Sequence, residues 1–482
     1  MIPTPEFSDT RLGIVRGISY GLFGAPDLLV PQACALGARI LRAYFFWSQI
    51  EPRPGEYTWD AVDALLKQLD GNADEEVWIT LCSSSPWATR TQTDFLPPSP
   101  ARDLESYTTF VKKTVEHCQG SVRFWQCDNE PSNTQLLWSG TADEYVLQLR
   151  AMYAAVKSAD PRAQVVLGGC GYDVLSSPTD SEQRQFFDRV ADAGRDAFDV
   201  FDVHLYGDPF QIPSYVETAR AMMHAHSYMK PVAAGEYGGP SLFEFPEVEG
   251  ALQSALAQAF AAPPPAQSTE SLAAQTTQDT PERSAMKALY ARMAELPSKL
   301  QMFMYGCPPE LEAKRHRIAC RQLVTRNILA LASGVQRTLY WNLAPEVPGP
   351  VDPHILMALL VGKLPLMDYH DKRLEVRHPE AETFELLCTQ LDGVECAARI
   401  ESQPGDVFAF RVERTRRPPV NVVWDRRDAF DGECLPPREV GLAVPARSAT
   451  AVDVFGVARE LHVHKDELRL EVTDTPVFVS ST

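Results

Sequence analysis

The 482-residue chain has no run of about 18 consecutive apolar residues, so no segment reads as a membrane-spanning helix. Its first residues lack the basic-then-apolar order of a secretory signal, so export is not expected. None of the ten cysteines forms a Cys-x-x-Cys pair, and several stand in apolar runs, where a thiol behaves as a small hydrophobe. Neither a zinc site nor a disulfide framework is expected, and the reading is a reduced, cytoplasmic protein. Positive charge is scarce: 45 Lys and Arg against 64 Asp and Glu give a net charge of −19. That balance speaks against nucleic acid and anionic membranes as partners. No Gly-rich phosphate turn follows the first apolar run: the later Gly168-Gly169-Cys170-Gly171 lacks dinucleotide spacing. No nucleophile-elbow serine and no internal repeat is present. His462 and His464 alternate without the cysteines or carboxylates that would complete a metal site. No cofactor is called for.

What the chain does have is an ordinary globular composition, 45% hydrophobic and 23% charged, and enough length for a large core. Short apolar runs alternate with longer helical patterns. The runs lie near 13–18, 38–44, 77–81, 122–127, 164–167, 198–203, 231–234 and 337–341. Residues 101–118 carry apolar side chains at helical spacing, and 141–159 open with a Thr141 cap. Eight strands, each followed by a helix, predict an α/β protein with a closed (β/α)8 barrel over residues 1–395. Residues 240–312 form a long insertion after the seventh strand. Within it, the Pro-, Ala- and Gln-rich stretch 262–283 reads as a mobile loop, on the face where barrel enzymes keep their sites. From 396 to 482 the pattern changes to short alternating runs, at 407–412, 420–424, 449–455, 460–463, 468–472 and 476–479. These predict a smaller antiparallel, β-sandwich-like domain.

Two strand ends deliver glutamates. In Arg123-Phe124-Trp125-Gln126-Cys127-Asp128-Asn129-Glu130-Pro131 the period-two rule puts Gln126, Asp128 and Glu130 on one face, with Pro131 ending the strand. In Pro231-Val232-Ala233-Ala234-Gly235-Glu236-Tyr237-Gly238-Gly239-Pro240 it puts Val232, Ala234 and Glu236 together. These are the fourth and seventh strands, across the barrel from each other. Glycosidic cleavage needs such a pair: one carboxyl protonates the leaving oxygen, and the other attacks the anomeric carbon or activates water.

The chain resembles the clan A glycoside hydrolases at three places. Asn129-Glu130-Pro131 is similar to their strand-four acid/base motif, and Gly235-Glu236-Tyr237-Gly238 to their strand-seven nucleophile. Leu41-Arg42-Ala43-Tyr44-Phe45-Phe46-Trp47 with Ile50-Glu51-Pro52 is similar to their strand-two segment. Among the families it looks closest to family 39, the β-xylosidases and α-L-iduronidases, whose tail residues 473–479 also resemble. The insertion is a departure from that pattern. The resemblance implies a retaining mechanism with Glu130 as acid/base and Glu236 as nucleophile. It also implies that Arg42 pairs with the nucleophile and holds it ionised, and that Asn129 bonds the hydroxyl beside the anomeric carbon. His204 and Tyr206 would orient the nucleophile or contact sugar, and Trp341 would floor the pocket. Trp47, Trp87 and Trp138 follow strand ends and are candidates for lining the cleft; Asp202 shares a face with His204. The expected substrate is a carbohydrate, a small glycoside or oligosaccharide. A transglycosidase using the same intermediate and a catalytically dead carbohydrate-binding barrel are the rival readings. The tail is expected to pack on the barrel, and a homo-oligomer is left open.

Overall fold

The computed structural model describes residues 6–22, 28–69, 74–259, 267–270, 280–346, 352–401, 403 and 405–481. Its centre is a parallel sheet of β1 Arg11–Val15, β2 Ile40–Phe46, β3 Glu76–Cys82, β4 Phe124–Cys127, β5 Gln164–Val166, β6 Phe201–Leu205, β7 Val232–Tyr237 and β8 Arg337–Trp341. β8 pairs with both β1 and β7, and a two-residue segment, Cys170–Gly171, resumes the line of β5 against β6. The ring closes where Val166 bridges Val200 and the Leu167 amide donates to the Val200 carbonyl at 3.0 Å. The predicted (β/α)8 barrel is therefore the fold.

Alternation along the strands sorts the core into two layers. Val15, Ile40, Tyr44, Phe124, Ala233, Leu339 and Trp341 fill the barrel. Leu41, Ala43, Phe45, Trp125, Val232 and Ala234 face the surrounding helices. Thr141 caps its helix as expected, and the helix read from 101 begins instead at Leu104, behind an Asp103 cap. Asp103 accepts the Ser106 amide at 2.8 Å, and Thr141 and Glu144 form a reciprocal capping box. Among the described residues no helix is long and apolar enough to cross a membrane.

The C-terminal strands are β9 Val394–Arg399, β10 Val407–Arg414, β11 Arg417–Asp425, β12 Arg438–Ala443, β13 Ser448–Asp453, β14 Ala458–His462, β15 Glu467–Val472 and β16 Val477–Ser481. Six form one antiparallel sheet in the order β9-β10-β11-β16-β13-β14, and β12 pairs with β15. Two of these, β9 and β12, are absent from the sequence reading. In β9 a register shift between Val394 and Cys396 interrupts the alternation, and β12 alternates but buries only Val440 and Leu442, on either side of Gly441. One face of the large sheet encloses Val407, Ala409, Val423, Val440, Leu468 and Leu470. The other, with Phe410, Val412, Val420, Val422 and Trp424, merges into the core of the barrel's helical layer. The two parts thus share buried apolar surface, which limits their relative motion.

The insertion builds a core of its own. Helices Pro246–Ala259, Pro281–Ala291 and Ser298–Gln301 bury Val248, Leu252, Met286, Leu289 and Leu300, together with Phe430 from the C-terminal part. Of the expected mobile loop at 262–283, residues 262–266 and 271–279 lie outside the described residues.

Beyond the shared core, ion pairs join the long helix Pro309–Ala332 to the C-terminal part. Arg317 and Arg321 reach Glu433 at 2.9 and 3.2 Å. The hydrogen bond from Arg317 is the main cause holding the Glu433 carboxyl at about 2, below its ordinary value. A depressed folded value stabilises the protein above the unfolded carboxylate range, and that contribution is lost as pH falls from about 4.5 toward 2. Glu433→Gln should therefore cost about 1–3 kcal/mol at neutral pH. Denaturant unfolding at several pH values should show the wild-type and variant curves converging as pH falls through that window.

Candidate active site

Glu236 owes its direction to an irregularity. Val203 pairs with Ala234, but His204 pairs with Glu236, so Gly235 and Glu236 together oppose one residue of β6. That bulge reverses the alternation. Val232 and Ala234 face the helices and Ala233 faces the barrel, yet Glu236 also turns inward. The expected face shared by Val232, Ala234 and Glu236 is thus corrected. The Gly235 amide donates to Asp202 Oδ1 at 2.6 Å, and a Cβ on Gly235 would lie 2.5 Å from both Asp202 oxygens. Only glycine lets the bulge close on that carboxylate.

A second irregularity aims Glu130. β4 ends at Cys127, and Asp128 and Glu130 take positive φ of 52° and 40°. Left-handed backbone breaks the two-residue period, so Pro131 does not terminate the strand, and Asp128 does not share a face with Gln126 and Glu130. Asp128 turns outward and accepts from the Ser83 amide and hydroxyl and from Gln148. Burial lifts its carboxyl to about 7 against those bonds.

Arg42, fully buried, ties the two strand ends together. Its Nε donates to Thr80, Nη1 to the Gly235 carbonyl (2.9 Å) and Glu236 Oε1 (3.1 Å), and Nη2 to Gln126 (2.6 Å) and Asn129 Oδ1 (2.7 Å). Every guanidinium N–H has an acceptor. Asn129 receives with its oxygen, which leaves its NH2 for a ligand. Glu236 also accepts from the Tyr44 hydroxyl at 2.6 Å and the Tyr206 hydroxyl at 2.9 Å.

His204 sits between the carboxyls. Its Nδ1 lies 2.6 Å from Glu130 Oε1 and 3.5 Å from Glu236 Oε2, and its Nε2 lies 3.2 Å from Asp202. Burial pulls the imidazole pKa down, but the charges of Glu236 and Asp202 and the bonds to Asp202 and Glu130 overcome it, lifting it to about 10. The ring is an imidazolium at neutral pH and donates at both nitrogens. Gly169 makes room for it: a Cβ there would come within 2.0 Å of His204 Nε2. Burial, first, and the negative charges of Glu236 and Asp173 raise the Glu130 carboxyl, against the hydrogen bond and charge of His204. Oxygens of Glu130 and Glu236 lie within 4.8 Å of each other.

The structure brings Arg42, Asn129, Glu130, His204, Tyr206 and Glu236 into one cluster, with Trp341 edge-on to Tyr44 at 6.1 Å. It does not bring three tryptophans there. Trp47 has no exposure, stacks on Phe110 at 4.8 Å and donates to Glu51. Trp87 packs against Trp47 and donates to the Glu51 carbonyl. Trp138 is buried against Tyr145. All three belong to the helical layer rather than the cleft. Strand parity carried the warning for Trp47, which is out of phase with Arg42 and Tyr44. Sequence reasoning missed Tyr44 as a donor to Glu236, although its parity with Arg42 places it there. It also missed Asp173, which no motif marks.

Residues of the insertion are tied to the loop after β3. Gln267 and Leu96 exchange backbone hydrogen bonds of 3.1 and 2.6 Å, and Thr269 donates to Asp94 through its amide and hydroxyl. Leu96 follows β3 and Gln267 follows β7, four strands away around an eight-stranded ring, so this link joins opposite rims.

No family model matches the sequence, and neither does any curated protein. Solved structures do match the fold. A family 39 glycoside hydrolase from the gut symbiont Bacteroides cellulosilyticus WH2 aligns over 100% of this chain and 83% of its own, with TM-score 0.62 and 12% identity. A monomeric β-xylosidase from Caulobacter crescentus CB15 aligns over 99% and 97%, with TM-score 0.58 and 14% identity. The catalytic domain of a family 30 xylanase C from Talaromyces cellulolyticus aligns over 99% and 98%, with TM-score 0.58 and 11% identity. The fold is that of clan A glycoside hydrolases, barrel and β domain together. The family 39 enzymes are among the structures it resembles.

Two outcomes are expected. Gly235→Ala pushes Asp202 and the bulge apart, and a displacement of Glu236 by about 1 Å should lower kcat about 100-fold; steady-state kinetics and a crystal structure of the variant check this. His204, with its folded value raised to about 10, stabilises the fold fully below about 6.5 and loses that contribution as pH rises through 10. Unfolding free energy should fall over that alkaline window in wild type and less so in His204→Asn.

Proposed function

We propose that the protein is a retaining glycoside hydrolase in which Glu130 is the acid/base and Glu236 the nucleophile. The observation that carries this reading is the carboxylate pair, with oxygens within 4.8 Å on opposing strand ends. Retaining enzymes keep the two groups about 5 to 5.5 Å apart, whereas inverting ones leave about 6.5 to 9.5 Å for a water between them.

The rest of the site fits the two roles. Arg42, Tyr44 and Tyr206 fix the Glu236 carboxylate for attack on the anomeric carbon. Glu130, its pKa raised by burial and by its acidic neighbours, holds a proton for the leaving oxygen. As that proton leaves, the imidazolium of His204 at 2.6 Å stabilises the carboxylate that forms. Glu130 then takes a proton from water, which opens the glycosyl–Glu236 ester and restores both carboxyls. The free NH2 of Asn129 meets the hydroxyl next to the reacting carbon, and Trp341 offers an apolar face beneath the ring. The link between Gln267 and Leu96, which joins the loops after β3 and β7, favours a small glycoside or the end of an oligosaccharide. The ten cysteines are all unpaired, which fits the reducing cytoplasm.

The test is a panel of nitrophenyl glycosides of both anomers, β-xylosides first because structural neighbours are named for that sugar. Glu236→Ala should lower kcat by about 10⁴-fold or more, with azide restoring turnover and giving the inverted glycosyl azide. Glu130→Ala should spare nitrophenyl release in the first step and slow the second, with azide giving the retained product. On a glycoside with a poor leaving group, which needs the acid, wild-type kcat/KM should fall on the alkaline side as Glu130 loses its proton, and that limb should vanish in Glu130→Ala. Turnover that survives in Glu236→Ala would sink the assignment.

A further inference from the structure

Asp173 stands beside Glu130, and the reaction as described gives it no contact with substrate. The two-residue segment Cys170–Gly171 pairs with β6, with Gly171 opposite His204. Cys170 packs into the helical layer, so alternation turns Gly171 toward the barrel interior. A short helix, Tyr172–Ser176, begins at once, and the side chain of its second residue folds back over that glycine. A Cβ on Gly171 would lie 2.3 Å from Asp173 Oδ1 and 3.8 Å from Glu130 Oε1, so one added carbon would meet both carboxyls.

The aspartate is fixed by its chain neighbours rather than by bonds of its own. Val174 and Leu175 are buried, and the Tyr172 ring packs edge-on to Tyr206 at 6.4 Å and tilted against Tyr215 at 6.5 Å. The Asp173 side chain itself is open to solvent. Among the described residues nothing donates to its carboxylate and no cation pairs with it. The cations nearby are taken: Arg42 and His204 serve Glu236, Glu130 and Asp202, and Arg184 pairs with Asp188 at 3.4 Å. Asp173 is therefore a surplus negative charge and a free acceptor next to the acid/base.

Its height in the barrel decides which part of a substrate it meets. His204, level with Gly171, has no exposure, whereas Asp173 stands two residues further along and reaches water. The sugar that is transferred lies inward, against Glu236 and Asn129. The group that departs takes its proton from Glu130 and leaves on the open side. We propose that Asp173 receives a hydroxyl of the departing group, so that the substrate is a glycoside whose leaving group is itself a neutral sugar, and an anionic leaving group is turned away. A carboxylate offers two acceptor oxygens, and hydrogen bonds to a charged group are the stronger ones. An anion brought beside Asp173 meets like charge with no free cation to offset it. This inference rests on the glycosidase reading and adds a substrate class to it.

The test compares leaving groups on one sugar, the one that the nitrophenyl panel turns over. Written for xylose, the probes are the nitrophenyl xyloside, xylobiose, and a matched pair of 4-carboxyphenyl and 4-carbamoylphenyl xylosides that differ in charge. In Asp173→Ala the ratio of kcat/KM for xylobiose to that for the nitrophenyl xyloside should fall about tenfold, the loss of one hydrogen bond to a charged group. Asp173→Asn keeps an acceptor oxygen and nearly the same shape, and serves if the alanine variant does not fold. In it that ratio should fall less, while the ratio of carboxyphenyl to carbamoylphenyl turnover should rise about threefold. Ratios that stay at wild-type values, or kcat/KM that falls equally on every probe, overturn the inference and leave Asp173 a solvated rim residue. Such a result beside wild-type turnover that is lost in Glu236→Ala sinks this inference alone. Silence of wild type across the whole panel sinks the glycosidase reading, and this inference with it.

Discussion

A guanidinium with no exposure to water imposes its needs on everything around it. Burying such a charge costs several kcal/mol unless each N–H is met and a counter-charge is at hand. Arg42 meets that requirement with acceptors from three strands: Thr80 on β3, Gln126 at the end of β4 with Asn129 just beyond it, and Gly235 with Glu236 on β7. Each of those acceptors is held in turn. Gln126 donates to Asp202 and to the Leu167 carbonyl, and Asp202 receives the Gly235 amide. The barrel interior at this level is therefore one polar network around a single cation, surrounded by apolar layers. Its geometry is over-determined, which is what a catalytic pair needs if its carboxyls are to stay at a fixed separation.

The same network sets the protonation of the site. His204 has Asp202 on one nitrogen and the two glutamates near the other, so the cluster holds two cations, Arg42 and the imidazolium, among three carboxyl groups. Glu130 is set apart from Glu236 by its neighbours rather than by its own chemistry. One carboxylate is wrapped by an arginine and two phenols, the other by a histidine and the negative field of Asp173. Two identical side chains in unlike surroundings can do opposite jobs.

Much of this was legible in the residues. Eight apolar runs separated by helical patterns fixed the barrel, and the motifs around Glu130 and Glu236 marked the strand ends. Arg42 and Tyr44 could be paired from parity alone, as could Asp202, His204 and Tyr206. What stayed hidden came from departures from regular strand geometry. Asp128 looked like a partner of Glu130 because they stand two positions apart, but positive φ at both sends them to different sides. Tryptophan at a strand end looks like a sugar platform, yet Trp47 obeys the alternation and goes to the helices, where its ring completes an apolar layer. The link from Gln267 to Leu96 joins residues 171 positions apart by backbone hydrogen bonds, which no side-chain pattern announces.

The bulge in β7 has one more consequence. A count, two residues set against one at His204, chooses the direction of Glu236, so the residues before it are free of that duty. Val232 and Ala234 answer only to the helices outside, and Ala233 only to the interior. Sequence drift in this strand can therefore follow packing alone, without disturbing the chemistry, for as long as the chain keeps its number of residues and the glycine that Asp202 caps. The address of the carboxylate is written in spacing, and its tolerance to change lies in the letters around it.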